Sequence, residues 1–131
     1  MFIRFHSGDI DEQSHIATGL FCAATELHEN ARIPDYEFEA LTGLLKWFDE
    51  NMASPFDYLQ CESRYDRAVC WFKSDAHEHL AQAWQLVAIL ERNDILIWTI
   101  KSPRIGFVHY EDEVQVLAQP DRHTRVLLNR R

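Results

Sequence analysis

The chain is short of several things at once. Its 131 residues include four glycines, four prolines and three cysteines, and 13 lysines and arginines stand against 21 acids. No stretch approaches the roughly 20 uninterrupted apolar residues of a membrane-spanning helix. The glycines are scattered, so neither a phosphate-cradling P-loop nor a dinucleotide fingerprint is present. Cys22, Cys61 and Cys70 are odd in number and far apart, with no Cys-x-x-Cys pair. A disulfide framework uses an even, denser set, so three reduced, mostly buried thiols and a cytoplasmic setting are expected. Met1 to His6 is too short and too polar for a signal peptide. A formal net charge of −8 lacks the cationic surplus that displaces counterions from nucleic acid. Contact with neither nucleic acid nor membrane is therefore expected.

What is present fits one globular domain. The 47% apolar content is ordinary, and a chain of this length buries about two-thirds of its unfolded surface. Phe2-Ile3-Arg4-Phe5 has the aromatic and β-branched make-up of a short strand. Asp9 and Glu12 resemble a capping box, and Ile16, Leu20, Ala23/Ala24 and Leu27 recur at helical spacing, which predicts a helix over residues 10 to 29. Ile33-Pro34-Asp35 opens a second helix with the apolar stripe Phe38, Leu41, Leu44/Leu45, Phe48 and Met52. Ala40 and Gly43 beside that stripe would permit close helix approach, and the short connection implies an antiparallel pair over 10–52.

Residues 53 to 68 show no period and read as a surface loop packed down by Phe56, Tyr58 and Leu59. Val69 to Phe72 reads as a strand-like entry. Ser74 then caps a third helix carrying Leu80, Ala83/Trp84, Val87 and Leu90, with Asn93 as its left-handed end. The run 94 to 101 is apolar on both faces, as in a central strand. Residues 106–110 and 113–118 flank Glu111-Asp112, a hairpin with an acidic tip. Residues 125 to 128 fit either an edge strand or a docked tail. The sum is one α+β domain: an N-terminal antiparallel helix hairpin and a third helix packed on an antiparallel β-meander of three or more strands over 94–120, then a basic tail over 121–131.

The order Leu44-Leu45-Lys46-Trp47-Phe48-Asp49-Glu50-Asn51, Trp71-Phe72-Lys73, Ile100-Lys101-Ser102-Pro103 and Tyr110-Glu111-Asp112-Glu113-Val114-Gln115-Val116 resembles a group of small uncharacterised bacterial proteins. Those carry a Trp-Phe-Lys helix and a closing Tyr-Glu-Asp-Glu-x-Gln-Val hairpin. The resemblance spans residues 40 to 120 and implies the domain boundary and the hairpin; it carries no catalytic residue. In size and acidity the chain is also similar in type to immunity proteins that neutralise delivered toxins.

Several constellations invite chemistry, each beside a plainer reading. His77-Glu78-His79 follows Asp75, but metal-binding helices place ligands at i,i+4, and His77 and His79 point about 200° apart. Asp75 and His79 do have that spacing, which predicts one local Asp–His hydrogen bond and no metal site. Cys70 precedes His77, yet no spacing ties it to a base and an orienting acid, and burial explains it more simply. Arg64, Tyr65 and Arg67 in the long loop, with His77, have the chemistry to hold a phosphate or carboxylate, or to satisfy one another. Trp47 lies off the apolar stripe and either seals the helix pair or anchors a partner.

Charge is unevenly placed. Residues 9 to 62 hold twelve acids and two bases, Arg32 and Lys46, whereas residues 122 to 131 hold four bases and no acid. An acidic face either keeps the protein soluble or recognises a cationic surface. The leading expectation is a non-enzymatic binding protein without cofactor, an immunity-type inhibitor of a basic, nuclease-like toxin domain. Its partner-binding acids would be Glu26, Glu29, Asp35, Glu37, Glu39, Asp49 and Glu50, with Glu111, Asp112 and Glu113 as a second patch. The alternatives are a small-molecule-binding or enzymatic domain using the 53–68 loop, and a homo-oligomer formed through an exposed sheet edge.

Overall fold

A computed structural model describes residues 1–7, 19–30, 32–53 and 69–121, together with the backbone of 8–10, 17–18 and 125–129. Among them are three helices, α1 (Leu20–Glu29), α2 (Asp35–Asn51) and α3 (His77–Arg92). Seven strands accompany them: β1 (Phe2–Ile10), β2 (Ala17–Gly19), β3 (Val69–Lys73), β4 (Ile97–Arg104), β5 (Phe107–Glu111), β6 (Gln115–Gln119) and β7 (Arg125–Asn129). The class is α+β. All strand pairs are antiparallel, in the order β5-β6-β3-β1-β4-β7.

That order is not a meander. β4 lies between β1 and β7, and three strands (β1, β3 and β6) separate it from β5, which is joined to the rest through β6. β1 organises the sheet: residues Phe2 to Ser7 pair with Ser102 to Ile97 of β4 on one edge. Its other edge changes partner along its length, meeting β3 at Phe2 and Ile3 and β2 at His6 and Ile10. Arg4 lies between these two stretches. Its guanidinium donates to the Cys70 carbonyl (3.3 Å) and passes close to Gly19, where an added Cβ would lie 3.4 Å from Nη2.

The helix expected over residues 10 to 29 is half that length. Asp9, expected to cap it, belongs to β1, and α1 begins at Leu20 behind an extended Gly19. Six registered pairs with β4 outweigh a local capping preference. The second helix starts where proline and the acidic first turn place it, with Pro34 as its cap. Trp71-Phe72-Lys73 lies in β3, and α3 starts later than expected, behind Ala76, with no side-chain cap. The left-handed residue after α3 is Asp94 (φ 66°), not Asn93, and the Ile95 amide bonds back to the Leu90 carbonyl. Pro103 sits inside β4, where the pairing with β7 slips between Lys101 and Arg104, as proline in a strand requires.

Period-two alternation separates two cores, one on each face of the sheet. Phe5, Phe72 and Ile97 join Leu20, Ala23, Ala24, Leu41, Leu44, Phe48, Leu86, Val87 and Leu90 from the helices. Edge-to-face rings lock this side: Phe5 on Trp84 (4.8 Å) and Phe21 on Phe48 (4.9 Å). On the opposite face Trp71, Ile105, Val116 and Ala118 form a second buried cluster, to which no helical residue among those described contributes.

Candidate functional site

Glu26, Glu29, Asp35, Glu39, Asp49 and Glu50 are all exposed. Glu37 is not. It is 5% exposed, because positions 37, 41, 44 and 48 form the stripe that α2 turns inward. Its carboxylate accepts from Arg92 Nε at 2.8 Å, tying the first turn of α2 to the last turn of α3. Glu37 is therefore a packing acid and leaves the proposed contact set. Phe38, expected in that stripe, is instead 39% exposed and stacks on the His28 ring at 4.6 Å.

On this surface Lys46 pairs with Glu50 (3.8 Å), both well exposed. Tyr36 is 72% exposed in the first turn of α2. Trp47 is half-buried and packs edge-on against His79 of α3 (4.8 Å), so it seals α2 against α3. Ala40 and Gly43 are exposed, and nothing lies within 4 Å of a Cβ built on Gly43. Among the described residues, no neighbouring helix exploits their small size.

The second acidic patch divides likewise. Glu111 and Glu113 are exposed, and Glu111 meets Lys73 Nζ at 2.7 Å. Asp112 holds the turn: Oδ1 accepts the Val114 and Gln115 amides (2.9 and 3.0 Å), and Oδ2 accepts the Tyr110 hydroxyl (2.8 Å). Gln115 Nε2 donates both to Asp112 Oδ2 (3.1 Å) and to the Ala53 carbonyl just beyond α2 (2.6 Å). Desolvation pushes the Asp112 carboxyl up, but the bonds from Val114, Tyr110 and Gln115 outweigh it and hold the group below its usual range. Asp112 therefore builds the acidic tip without presenting its charge freely. An aspartate two residues before a paired amide is an Asx-turn signal, legible in sequence but read there as surface charge.

The catalytic readings fare differently by residue. Arg64, Tyr65 and Arg67 lie outside the described residues, as does most of the 53–68 loop. His77 is exposed at the start of α3. His79 does not bond Asp75; its Nε2 donates to the Asn51 carbonyl at the end of α2 (2.8 Å). Cys22 is exposed, against the expectation of burial. Burial raises the Cys70 thiol to about 11 although Arg4 lowers it, so the thiol stays protonated at neutral pH. An open depression of about 520 Å³ is lined by Lys73, Asp75, Ala76, Glu113 and Val114, with acids and base in opposition. Among the described residues, no three His, Cys, Asp or Glu side chains gather as metal ligands. No helix among them is long and apolar enough to cross a membrane.

Comparison with known proteins finds no family model, no curated protein and no solved structure that matches this chain.

Proposed function

We propose that this chain is a non-enzymatic binding protein that docks a cationic protein surface on α1 and α2, as an immunity protein would neutralise a basic, nuclease-like toxin domain. The observation that supports this most is the six exposed acids on two adjoining helices, Glu26, Glu29, Asp35, Glu39, Asp49 and Glu50. Of the bases nearby, Lys46 is paired to Glu50 and Arg92 to Glu37. A one-signed surface accelerates encounter with a cationic partner and rejects anionic ones. Tyr36 offers an aromatic ring to an incoming arginine or lysine at the edge of the acids. Glu111 and Glu113 form a smaller second patch.

Co-expression with the neighbouring gene product, with capture from the native host in parallel, tests the reading. A triple variant, Glu39→Lys/Asp49→Lys/Glu50→Lys, serves as control. The expected result is a basic protein retained by the wild type, released as salt rises and not retained by the variant. Failure to retain any basic protein, with no change in host phenotype on charge reversal, overturns it.

A further inference from the structure

Tyr36 stands apart from the other aromatic side chains of the helices. Phe21, Phe38, Trp47, Phe48 and Trp84 each pack on another ring, whereas Tyr36 is 72% exposed in the first turn of α2. Among the described residues it touches no other ring, and its hydroxyl has no hydrogen-bond partner. The ring therefore contributes nothing to the core.

Helical spacing sets what lies beside that ring. Glu39 and Ala40 follow Tyr36 at i+3 and i+4, where side chains on a helix surface are neighbours about 5–6 Å apart. Both are exposed. Gly43 comes next along the same flank, exposed and with nothing within 4 Å of a Cβ built on it. A side chain laid along α2 beside Tyr36 thus meets an exposed ring, a carboxylate and a low shelf made by Ala40 and Gly43. Arg92 and Lys46 are engaged elsewhere, by Glu37 and Glu50.

We propose that Tyr36 and Glu39 anchor one arginine of the cationic partner and select arginine over lysine. The guanidinium stacks flat on the Tyr36 ring and donates to the Glu39 carboxylate, while its aliphatic stem lies over Ala40. A lysine ammonium is a compact, strongly hydrated charge with no flat face. It meets Glu39 equally well but gains less from the ring. The inference rests on the acidic-surface reading and narrows it: the partner presents an arginine at the start of α2, and its other basic positions are free to be either residue.

Fluorescence anisotropy of two labelled peptides titrated with the full chain at low salt tests it. The peptides have equal length and charge, one with arginine and the other with lysine at every basic position. The arginine peptide should bind about two- to fivefold more tightly. Tyr36→Ala should remove that preference and leave the affinity for the lysine peptide nearly unchanged, whereas Tyr36→Phe should keep it. Glu39→Gln should weaken both peptides, the arginine one more. Matched melting temperatures confirm that the variants fold. Equal binding of the two peptides by the wild type overturns this inference alone, as does a preference that survives Tyr36→Ala. Binding of neither peptide overturns the acidic-surface reading along with it.

Discussion

Asp112 accepts hydrogen bonds from two backbone amides, a phenol and an amide side chain in the turn it occupies. Replacing it by alanine leaves those donors facing one another, at an expected cost of about 1–3 kcal/mol. Its folded carboxyl titrates below the unfolded one, so the stabilisation is complete above the ordinary aspartate range and is lost as pH falls through the folded value. Urea unfolding between about pH 3 and pH 7 should show a shallower acid-side decline for Asp112→Ala than for the wild type. Equal slopes would mean that Asp112 is not the group titrating.

Glu37 makes a complementary case. Arg92→Ala strands a buried carboxylate, with an expected loss of roughly 1–3 kcal/mol. Glu37→Gln/Arg92→Met should be more stable than Arg92→Ala, since it removes the charge that burial penalises. Chemical denaturation of the two variants and the wild type checks the order. An Arg92→Ala protein as stable as the wild type would show that water alone satisfies Glu37.

At the scale of elements, two glycines separate opposite uses of the same residue. Gly106 has φ 102°, and a Cβ there would lie 2.1 Å from the Gln119 carbonyl. Gly106→Ala should therefore destabilise the β5–β6 hairpin by roughly 2–4 kcal/mol, through both strain and collision. Gly43, exposed within α2 with open space at its Cβ, should do the reverse. Gly43→Ala should stabilise by about 0.5–1 kcal/mol, because glycine carries an entropic penalty inside a helix. Thermal melts of both variants decide it; stabilisation by Gly106→Ala would contradict the backbone conformation.

The elements also show what was legible in sequence. The start of α2, the strand at Val69 and the hairpin around Asp112 follow from proline, β-branched content and turn residues, whose effects are local. Asp9, Glu12 and the following apolar residues satisfy helical rules on their own, which predicts a first helix longer than α1. The same residues up to Ile10 lie in a strand once β4 is beside them.

For the whole molecule, a net charge of −8 gathered mainly between residues 9 and 62 implies self-repulsion. Raising salt from about 10 mM to 150 mM shortens the screening length from roughly 30 to 8 Å. The melting temperature should then rise by about 2–4 °C. Glu39→Lys should melt higher than the wild type at low salt and lose most of that advantage at high salt. A melting temperature that falls with salt would mean that attractive pairs dominate the surface.

The sequence by itself determined the α+β class, the absence of a membrane-spanning helix among the described elements, and the acidic bias of the first two helices. These follow from composition and from interactions a few residues apart. Tertiary structure alone decided that β1 sits beside both β3 and β4, that β5 comes last in the strand order of the described residues, that Glu37 points inward to Arg92, and that His79 serves the end of α2. Each depends on partners distant in the chain, 55 residues apart for Glu37 and Arg92. A side chain's local periodicity says which face it occupies. Only the element packed on that face says whether it is core, tether or free surface.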